Sequence, residues 1–428
     1  MSRGREILLI VTLFVVSIIV SAVFWSLLPA EYRANQSTDY LNVYEPVARA
    51  IVAGRGITLD GEIATRYPPG FSILLAGVFR LGEALGAADE AMLLAFRLVC
   101  VALAVVLVYG LARLVWSPWA ALIPALAWMT YPFSLWLAKQ PNSEVPFVPA
   151  LYAALLLFWL ALLRGRGGAR SWGLFLGAGA LAGAAMLIRP AALGLSVVLA
   201  LTILIFATRA TAMRARLAYG ALVIIGSLLV VLPWEAGVFA RTGEIIPLST
   251  GGAATIHDGL TFLAVPKEYR REVAMPGDVA ELMWTIHERR DETATTGGVF
   301  RVMVEEASAT PVAFGKLMLI KLARSWYGID SRVLELPTIL IQAVYLLLIS
   351  WGTVYCWRQG GAMRRMIGGN WLIVGYFWAM TFLVVPLLRY MAPVMGLLML
   401  ALPGVYYSFA AWRKKRILSR IGPVSTDF

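Results

Sequence analysis

Residues 7–28, ILLIVTLFVVSIIVSAVFWSLL, carry no charge and are long enough to cross a hydrocarbon core of about 30 Å as a helix. The run is longer than a signal-peptide core, and Arg3 and Arg5 precede it, so it reads as an uncleaved first span with its N-terminus in the cytoplasm. Just beyond it stands Ser37-Thr38-Asp39-Tyr40. An acid at the water edge of an apolar chain is costly to keep, and a chemical role would explain its presence.

The rest of the composition agrees with a chain built for lipid. Of 428 residues, 60% are hydrophobic and 14% charged, and the mean hydropathy is +0.76, which points to an all-α polytopic membrane protein rather than a soluble domain. The net charge of +12 comes from short arginine clusters between apolar runs, which serve as topology signals and anionic-lipid contacts and imply no nucleic acid. Cys100 and Cys356 fall within predicted spans and read as small apolar residues. Neither a disulfide framework nor a zinc site is indicated, and two histidines, His257 and His287, do not supply a multi-histidine metal centre.

Residues 29–90 form the first outer loop. Leu41, Tyr44, Val47, Ala48 and Ile51 recur at helical spacing and predict an interfacial amphipathic helix, which Pro46 kinks or starts and Gly54-Arg55-Gly56 ends. The apolar stretch Phe71 to Leu85 contains Arg80 and Glu83 and is expected to lie at the surface rather than cross. With that stretch outside the count, spans are expected near 91–114, 118–137, 145–163, 172–188, 191–207, 217–238, 337–357, 370–386 and 391–411. The clusters at Arg164, Arg166 and Arg170, at Arg209, Arg214 and Arg216, at Arg358, Arg364 and Arg365, and in the basic tail Arg413-Lys414-Lys415-Arg416 then share one face. The expectation is about ten transmembrane helices with both termini inside. They divide into a first span (1–28), the outer loop (29–90), a helix bundle (91–240), an outer segment (241–336), C-terminal helices (337–412) and a tail (413–428). The outer segment carries the charged runs Lys267 to Glu272 and His287 to Glu292, and its stretch Phe314 to Tyr327 is amphipathic and expected to approach the membrane again.

On this topology Asp39, Arg66, Arg97, Lys139, Asn142-Ser143-Glu144, Arg189, Trp234-Glu235, His257-Asp258 and Arg389-Tyr390 face the outside together. Two carboxylates among arginines suit transfer of a group from an anionic leaving group. Each residue also has a plainer explanation. Ser37, Thr38 and Asp39 are good helix caps, and Glu144 would favour the dipole of the helix it begins. Arg66 beside Tyr67 could be an interfacial anchor, and Arg389-Tyr390 a belt pair. Arg97 and Arg189, at the ends of spans, are of the kind that turns inward and pairs, or snorkels. His257 reads as a solvated loop histidine, and Gly177, Gly179 and Gly183 as close helix-packing positions. A soluble sugar-nucleotide enzyme would need a glycine-rich strand-to-helix turn, which the sequence lacks.

The order of these pieces resembles the GT-C superfamily of integral-membrane glycosyltransferases, in the branch of the protein O-mannosyltransferases and the aminoarabinose transferase of lipid A. The likeness rests on the acidic motif, the amphipathic helix ending in glycine, Arg66-Tyr67-Pro68-Pro69-Gly70, Ala95-Phe96-Arg97-Leu98, Asn142-Ser143-Glu144 and Leu187-Ile188-Arg189-Pro190. It continues through Leu232-Pro233-Trp234 with Ile246 to Gly252, and Leu388-Arg389-Tyr390-Met391-Ala392-Pro393. The resemblance implies a GT-C-like bundle and inverting transfer, outside the cytoplasm, of a sugar from a polyprenyl-phosphate donor to a protein, lipid or glycan hydroxyl. Asp39 would be the general base. Arg66, Tyr67, Arg97, Arg189, Arg389 and Tyr390 would handle the donor phosphate, and Glu144 would orient sugar or acceptor. The family often has a second acid where this chain has Tyr40, and either Glu45 or Glu144 could supply it. No cofactor is implied, although Asp39 with Glu144 could recruit a divalent cation. The setting would be a bacterial inner membrane with the site facing outward. A transporter or flippase of lipid-linked sugars is the alternative, and an inactive lipid-binding relative a third reading.

Overall fold

The computed structural model describes residues 2–33, 37–165, 167–262, 275–329 and 334–421, with side chains described as far as Arg413. Arg166, the run Lys267 to Glu272 and the side chains of Lys414, Lys415 and Arg416 lie outside the described residues.

The chain opens with α1 (Arg3–Leu27) and the short α2 (Ala30–Arg33). A π-helical turn (Tyr40–Tyr44) leads directly into α3 (Glu45–Val52), and Pro46 sits in the first turn of α3, where it marks the helix start rather than a kink. Leu41, expected on the buried stripe, is 49% exposed, because the wider π turn rotates it away and brings Tyr40 in, 3% exposed. Strands β1 (Thr58–Leu59) and β2 (Glu62–Ile63) form a hairpin that the sequence reading did not anticipate. Its turn is Asp60-Gly61, both left-handed at φ 51° and 90°, which is the geometry a two-residue hairpin needs.

The bundle follows as α4 (Gly70–Leu85), α5 (Asp89–Ala112), α6 (Pro118–Met129), α7 (Pro132–Leu137), α8 (Glu144–Arg164), α9 (Gly168–Ile188), α10 (Leu195–Phe206) and α11 (Met213–Thr242). Four further helices fall within 241–336: α12 (Gly252–Thr261), α13 (Gly277–Glu288), α14 (Thr296–Ala309) and α15 (Pro311–Arg324). The chain closes with α16 (Glu335–Gln359), α17 (Gly361–Leu383), α18 (Leu388–Met399) and α19 (Pro403–Ile421).

Seven of these helices are long and apolar enough to cross a membrane, or eight if α18 and α19, bent by 41° at their junction, make one broken span. The expected ten is therefore not reached by length. The spans expected at 118–137 and 191–207 appear as shorter apolar helices, because the chain breaks at Thr130-Tyr131 and begins the second with a 3-10 turn at Pro190–Ala192.

One end of the bundle is fixed by Arg113, whose Nε meets Glu6 at 2.7 Å and whose carbonyl accepts from Arg164 at 2.9 Å. The start of α1 and the ends of α5 and α8 therefore share that end. The opposite end gathers the end of α9 and the starts of α5 and α8. There α4 stays, with Gly70 against the Leu187 backbone and Gly82 beside Ala87 and Asp89. Helices α9 and α11 touch backbone to backbone: a Cβ on Gly179 would stand 2.1 Å from the Val223 carbonyl oxygen.

Helices α12–α15 carry their own apolar cluster, including Leu260, Leu282, Ile286, Val302 and Leu317. His257, expected to be solvated, is 2% exposed within this unit, and its Nδ1 shares a 2.8 Å hydrogen bond with the Thr293 hydroxyl.

Candidate active site

Asp39 precedes the π turn, and its side chain makes no cap bond, while Ser37 Oγ accepts from the Tyr40 amide at 3.4 Å. Its carboxylate looks elsewhere: Oδ1 accepts from the Tyr67 hydroxyl at 2.8 Å. Burial, with the Asp39 charge next in size, pushes the Tyr67 phenol up to about 12, so it stays protonated and donates near neutral pH. Tyr67 stacks on Tyr44 at 4.9 Å between centroids, and Tyr44 meets Phe71 edge-on. The Tyr44 hydroxyl lies beside Ser143, Arg189 and Glu144, and burial raises its pKa.

This aromatic pair joins Asp39 to a charged cluster. Glu144, at the first position of α8 with its side chain 5% exposed, meets Arg189 Nη1 at 2.9 Å and Arg389 Nε at 3.8 Å. Arg189 also donates to Ser143 Oγ at 3.0 Å, and its guanidinium lies 4.8 Å from the Tyr390 ring centre. Arg389 lies over the same ring at 4.9 Å and donates to the Tyr390 hydroxyl at 2.9 Å. Two guanidinium groups thus share one buried carboxylate and one aromatic ring. The local surplus of positive charge suits an incoming anion, and Arg389, its side chain 42% exposed, is the more open of the two.

The backbone explains how these groups meet. Arg189 is extended (φ −148°, ψ 124°) in the break after α9, so its side chain leaves the helix and reaches the start of α8. Tyr376 holds that break by donating to the Ala191 carbonyl at 3.0 Å. Gly70 lets α4 press on the end of α9, since a Cβ there would stand 2.6 Å from the Leu187 carbonyl. Over Arg66 and Tyr67 lies the loop Ile246 to Gly252. The Thr250 amide donates to the Thr65 carbonyl at 2.9 Å, and Gly251 abuts the Arg66 carbonyl. Leu248 takes φ 61°, held by its amide donating to Glu235 at 2.8 Å and by Trp234 donating to its carbonyl at 3.3 Å. The motifs around Trp234 and Leu248 therefore meet in space.

The structure brings together Asp39, Tyr67, Glu144, Arg189, Arg389 and Tyr390, with Arg66 at the edge, 5.7 Å from the Tyr67 ring centre. Arg97 stands apart. It is 7% exposed and donates to the carbonyls of Leu93, Ala138 and Lys139, closing the end of α7. Glu45, one option for the second acid, pairs with Arg49 at 3.2 Å. Tyr44 and Ser143 are members the sequence reading passed over: Tyr44 counted only as part of a buried stripe, and Ser143 only as part of a motif. Among the described residues no three His, Cys, Asp or Glu side chains gather as a metal-ligand set.

Fold and site together define a polytopic membrane helix bundle with an acid and an arginine cluster at one end. Residues 66–235 match the family model described as dolichyl-phosphate-mannose-protein mannosyltransferase, a stretch that includes Glu144 and Arg189 but not Asp39 or Arg389. Among solved structures, the chain is similar over its whole length to the oligosaccharyltransferase AglB of Archaeoglobus fulgidus in complex with an inhibitory peptide and a dolichol-phosphate. It covers 53% of that chain, with a TM-score of 0.60 at 16% identity. An Archaeoglobus fulgidus oligosaccharyltransferase in complex with Zn and sulfate matches 96% of this chain and 51% of its own, with a TM-score of 0.56 at 18% identity. ArnT of Cupriavidus metallidurans, bound to undecaprenyl phosphate, matches 93% of this chain and 78% of its own, with a TM-score of 0.44 at 15% identity. The chain spans about half the length of the archaeal structures it matches. No curated protein gives a match. The GT-C resemblance read from the motifs is thus met by the family model and by the fold.

Proposed function

We propose that the chain is a membrane glycosyltransferase that moves a sugar from a polyprenyl-phosphate carrier to an acceptor hydroxyl, with inversion, on the outer face of a bacterial inner membrane. The carrying observation is the Asp39–Tyr67 pair, joined through Tyr44 to Arg189, Glu144 and Arg389. A base and an anion-binding cluster at one end of an apolar bundle are what such a transfer requires. The family-model match and the likeness to a structure in complex with dolichol-phosphate support the lipid-phosphate donor.

In the reaction, the acceptor oxygen attacks the anomeric carbon while its proton passes to Asp39, held by the Tyr67 hydroxyl. The bond from that carbon to the phosphate oxygen breaks, and the lipid phosphate leaves with one more negative charge. Arg389 and Arg189, placed before the reaction, stabilise that charge, and a guanidinium can meet two phosphate oxygens at once. Glu144 holds the two guanidiniums close together and orients them. Arg66 and Tyr390 border the phosphate site. Arg97 contributes by fixing the turn that carries Ser143 and Glu144. A protein, lipid or glycan could be the acceptor.

Purified protein in lipid, given radiolabelled polyprenyl-phosphate hexoses and pentoses with an acceptor panel, should consume donor, and Asp39→Asn should not. Absence of turnover in both, with lipid-linked sugar crossing the bilayer, would replace the proposal by a transporter.

A further inference from the structure

The outer helices hold one stretch of chain at four successive points. Gly259 of α12 abuts the Val384 backbone so closely that a Cβ would stand 2.3 Å from its carbonyl oxygen. Lys321 of α15 points its Nζ at the Leu383 carbonyl, 3.4 Å away. Gly328 abuts the Pro386 carbonyl oxygen, 2.4 Å from where its Cβ would be, and its own carbonyl accepts from the Leu388 amide at 2.7 Å. The next residues along the chain are Arg389 and Tyr390.

Helix α15 buries two of its cations beside Leu317. Leu317, Lys321 and Arg324 face inward, at 0%, 1% and 6% exposure, while Val312 and Leu319 face outward at 68% each. Burying an ammonium is costly unless something compensates, and an exposed position for Lys321 would have been the default. Its site lies against the Leu383 carbonyl and the Phe382 ring, 5.9 Å away. Arg324 is engaged by Glu335 and by the Ile329 carbonyl at 3.1 Å, which fixes the turn that carries Gly328.

We infer that the α12–α15 unit sets the position of Arg389, with Gly259, Lys321 and Gly328 as positioning residues acting through the 383–388 stretch. The inference rests on Arg389 serving the donor phosphate, as proposed above. None of the three residues need touch substrate. Their effect is to hold the α18 start where Arg389 can share Glu144 with Arg189.

The test uses the full-length protein in lipid nanodiscs and two readouts: hydrogen exchange across 383–390, and the Kd for a polyprenyl phosphate. Gly259→Ala and Gly328→Ala should speed exchange in that stretch and weaken binding. Losing a charge-assisted contact from Arg389 should weaken binding by about 10- to 150-fold. The same substitutions should add nothing further to the Kd once Arg389→Ala is present, since a positioning residue has no effect without the group it positions. Wild-type exchange in the variants, or a full loss of affinity on the Arg389→Ala background, would overturn the inference. Faster exchange with an unchanged Kd, in the variants and in Arg389→Ala alike, would instead overturn the donor role of Arg389. If the glycine variants fail to fold, Lys321→Met, which fills similar space without the ammonium, carries the same test.

Discussion

Replacing Asp39 by asparagine keeps an oxygen where Tyr67 can donate to it, so the 2.8 Å contact and the stacked Tyr67–Tyr44 pair can survive the change. What disappears is the capacity to take a proton. General-base assistance is worth about 10²–10⁴ in rate, which is about 3–5 kcal/mol of barrier. Asp39→Asn should therefore lower kcat by that factor and leave the Kd for polyprenyl phosphate within twofold or so of wild type. Tyr67→Phe is the companion measurement. It removes a hydrogen bond to a charged group, worth about 1.5–3 kcal/mol, so it should cost roughly 10- to 100-fold in kcat. Because Tyr67 acts through Asp39, the double variant should be about as slow as Asp39→Asn alone. The assay is release of labelled sugar from a polyprenyl-phosphate donor at saturating acceptor. A wild-type kcat in Asp39→Asn, or a loss confined to donor affinity, would refute the base assignment.

Glu144→Gln leaves Arg189 and Arg389 facing each other beside a neutral amide. Removing one partner of a buried pair costs about 3–5 kcal/mol, so the protein should melt well below wild type in detergent and regain part of that stability when an anion such as phosphate is added. Lys321 gives a pH prediction. Burial pushes its ammonium down to about 7 from 10.5, so between those values the unfolded chain holds a proton that the folded chain does not. Stability should rise with pH across that window, by about 5 kcal/mol in full, and the rise should vanish in Lys321→Met when melting is followed from pH 7 to 10. For the face of the membrane, Glu62→Cys, in the exposed hairpin, should react with an impermeant thiol reagent added outside intact cells. Labelling only after the cells are opened would reverse the orientation, and the buried Cys100 and Cys356 keep the background low.

The bundle was legible because lipid leaves a one-dimensional trace: long runs without charge, separated by arginine clusters. The acid and arginines of the site were legible as residues but not as partners. Asp39 and Tyr67 are joined only after the chain passes through the hairpin and the Tyr67-Pro68-Pro69-Gly70 corner. Glu144 and Arg189 belong to opposite ends of successive helices, and nothing local announces that the break after Ile188 aims one at the other. Arg97 shows the converse. An inward arginine at a span end was correctly expected to find a partner, but carbonyls are as available to it as phosphate. In α15 the amphipathic character was visible, but nothing local announced that Lys321 and Arg324 would be buried with Leu317 while Lys316 stays in water. His257 was misplaced for a related reason: the 241–336 segment looks irregular in sequence, yet its helices enclose a core of their own.

The π turn at Tyr40–Tyr44 bears on how this chain can vary. Its closing bond runs from the Glu45 amide to the Tyr40 carbonyl, one residue wider than an α-helical turn, so the segment holds one residue more than the same length of regular helix. Deleting any one of Leu41, Asn42 and Val43 would allow the helix to close normally and swing Asp39 around the axis, away from Tyr67, with every named side chain of the site still present. A change in length would thus act as a point mutation does elsewhere, and relatives should tolerate substitutions at Leu41 and Asn42 far more readily than gaps.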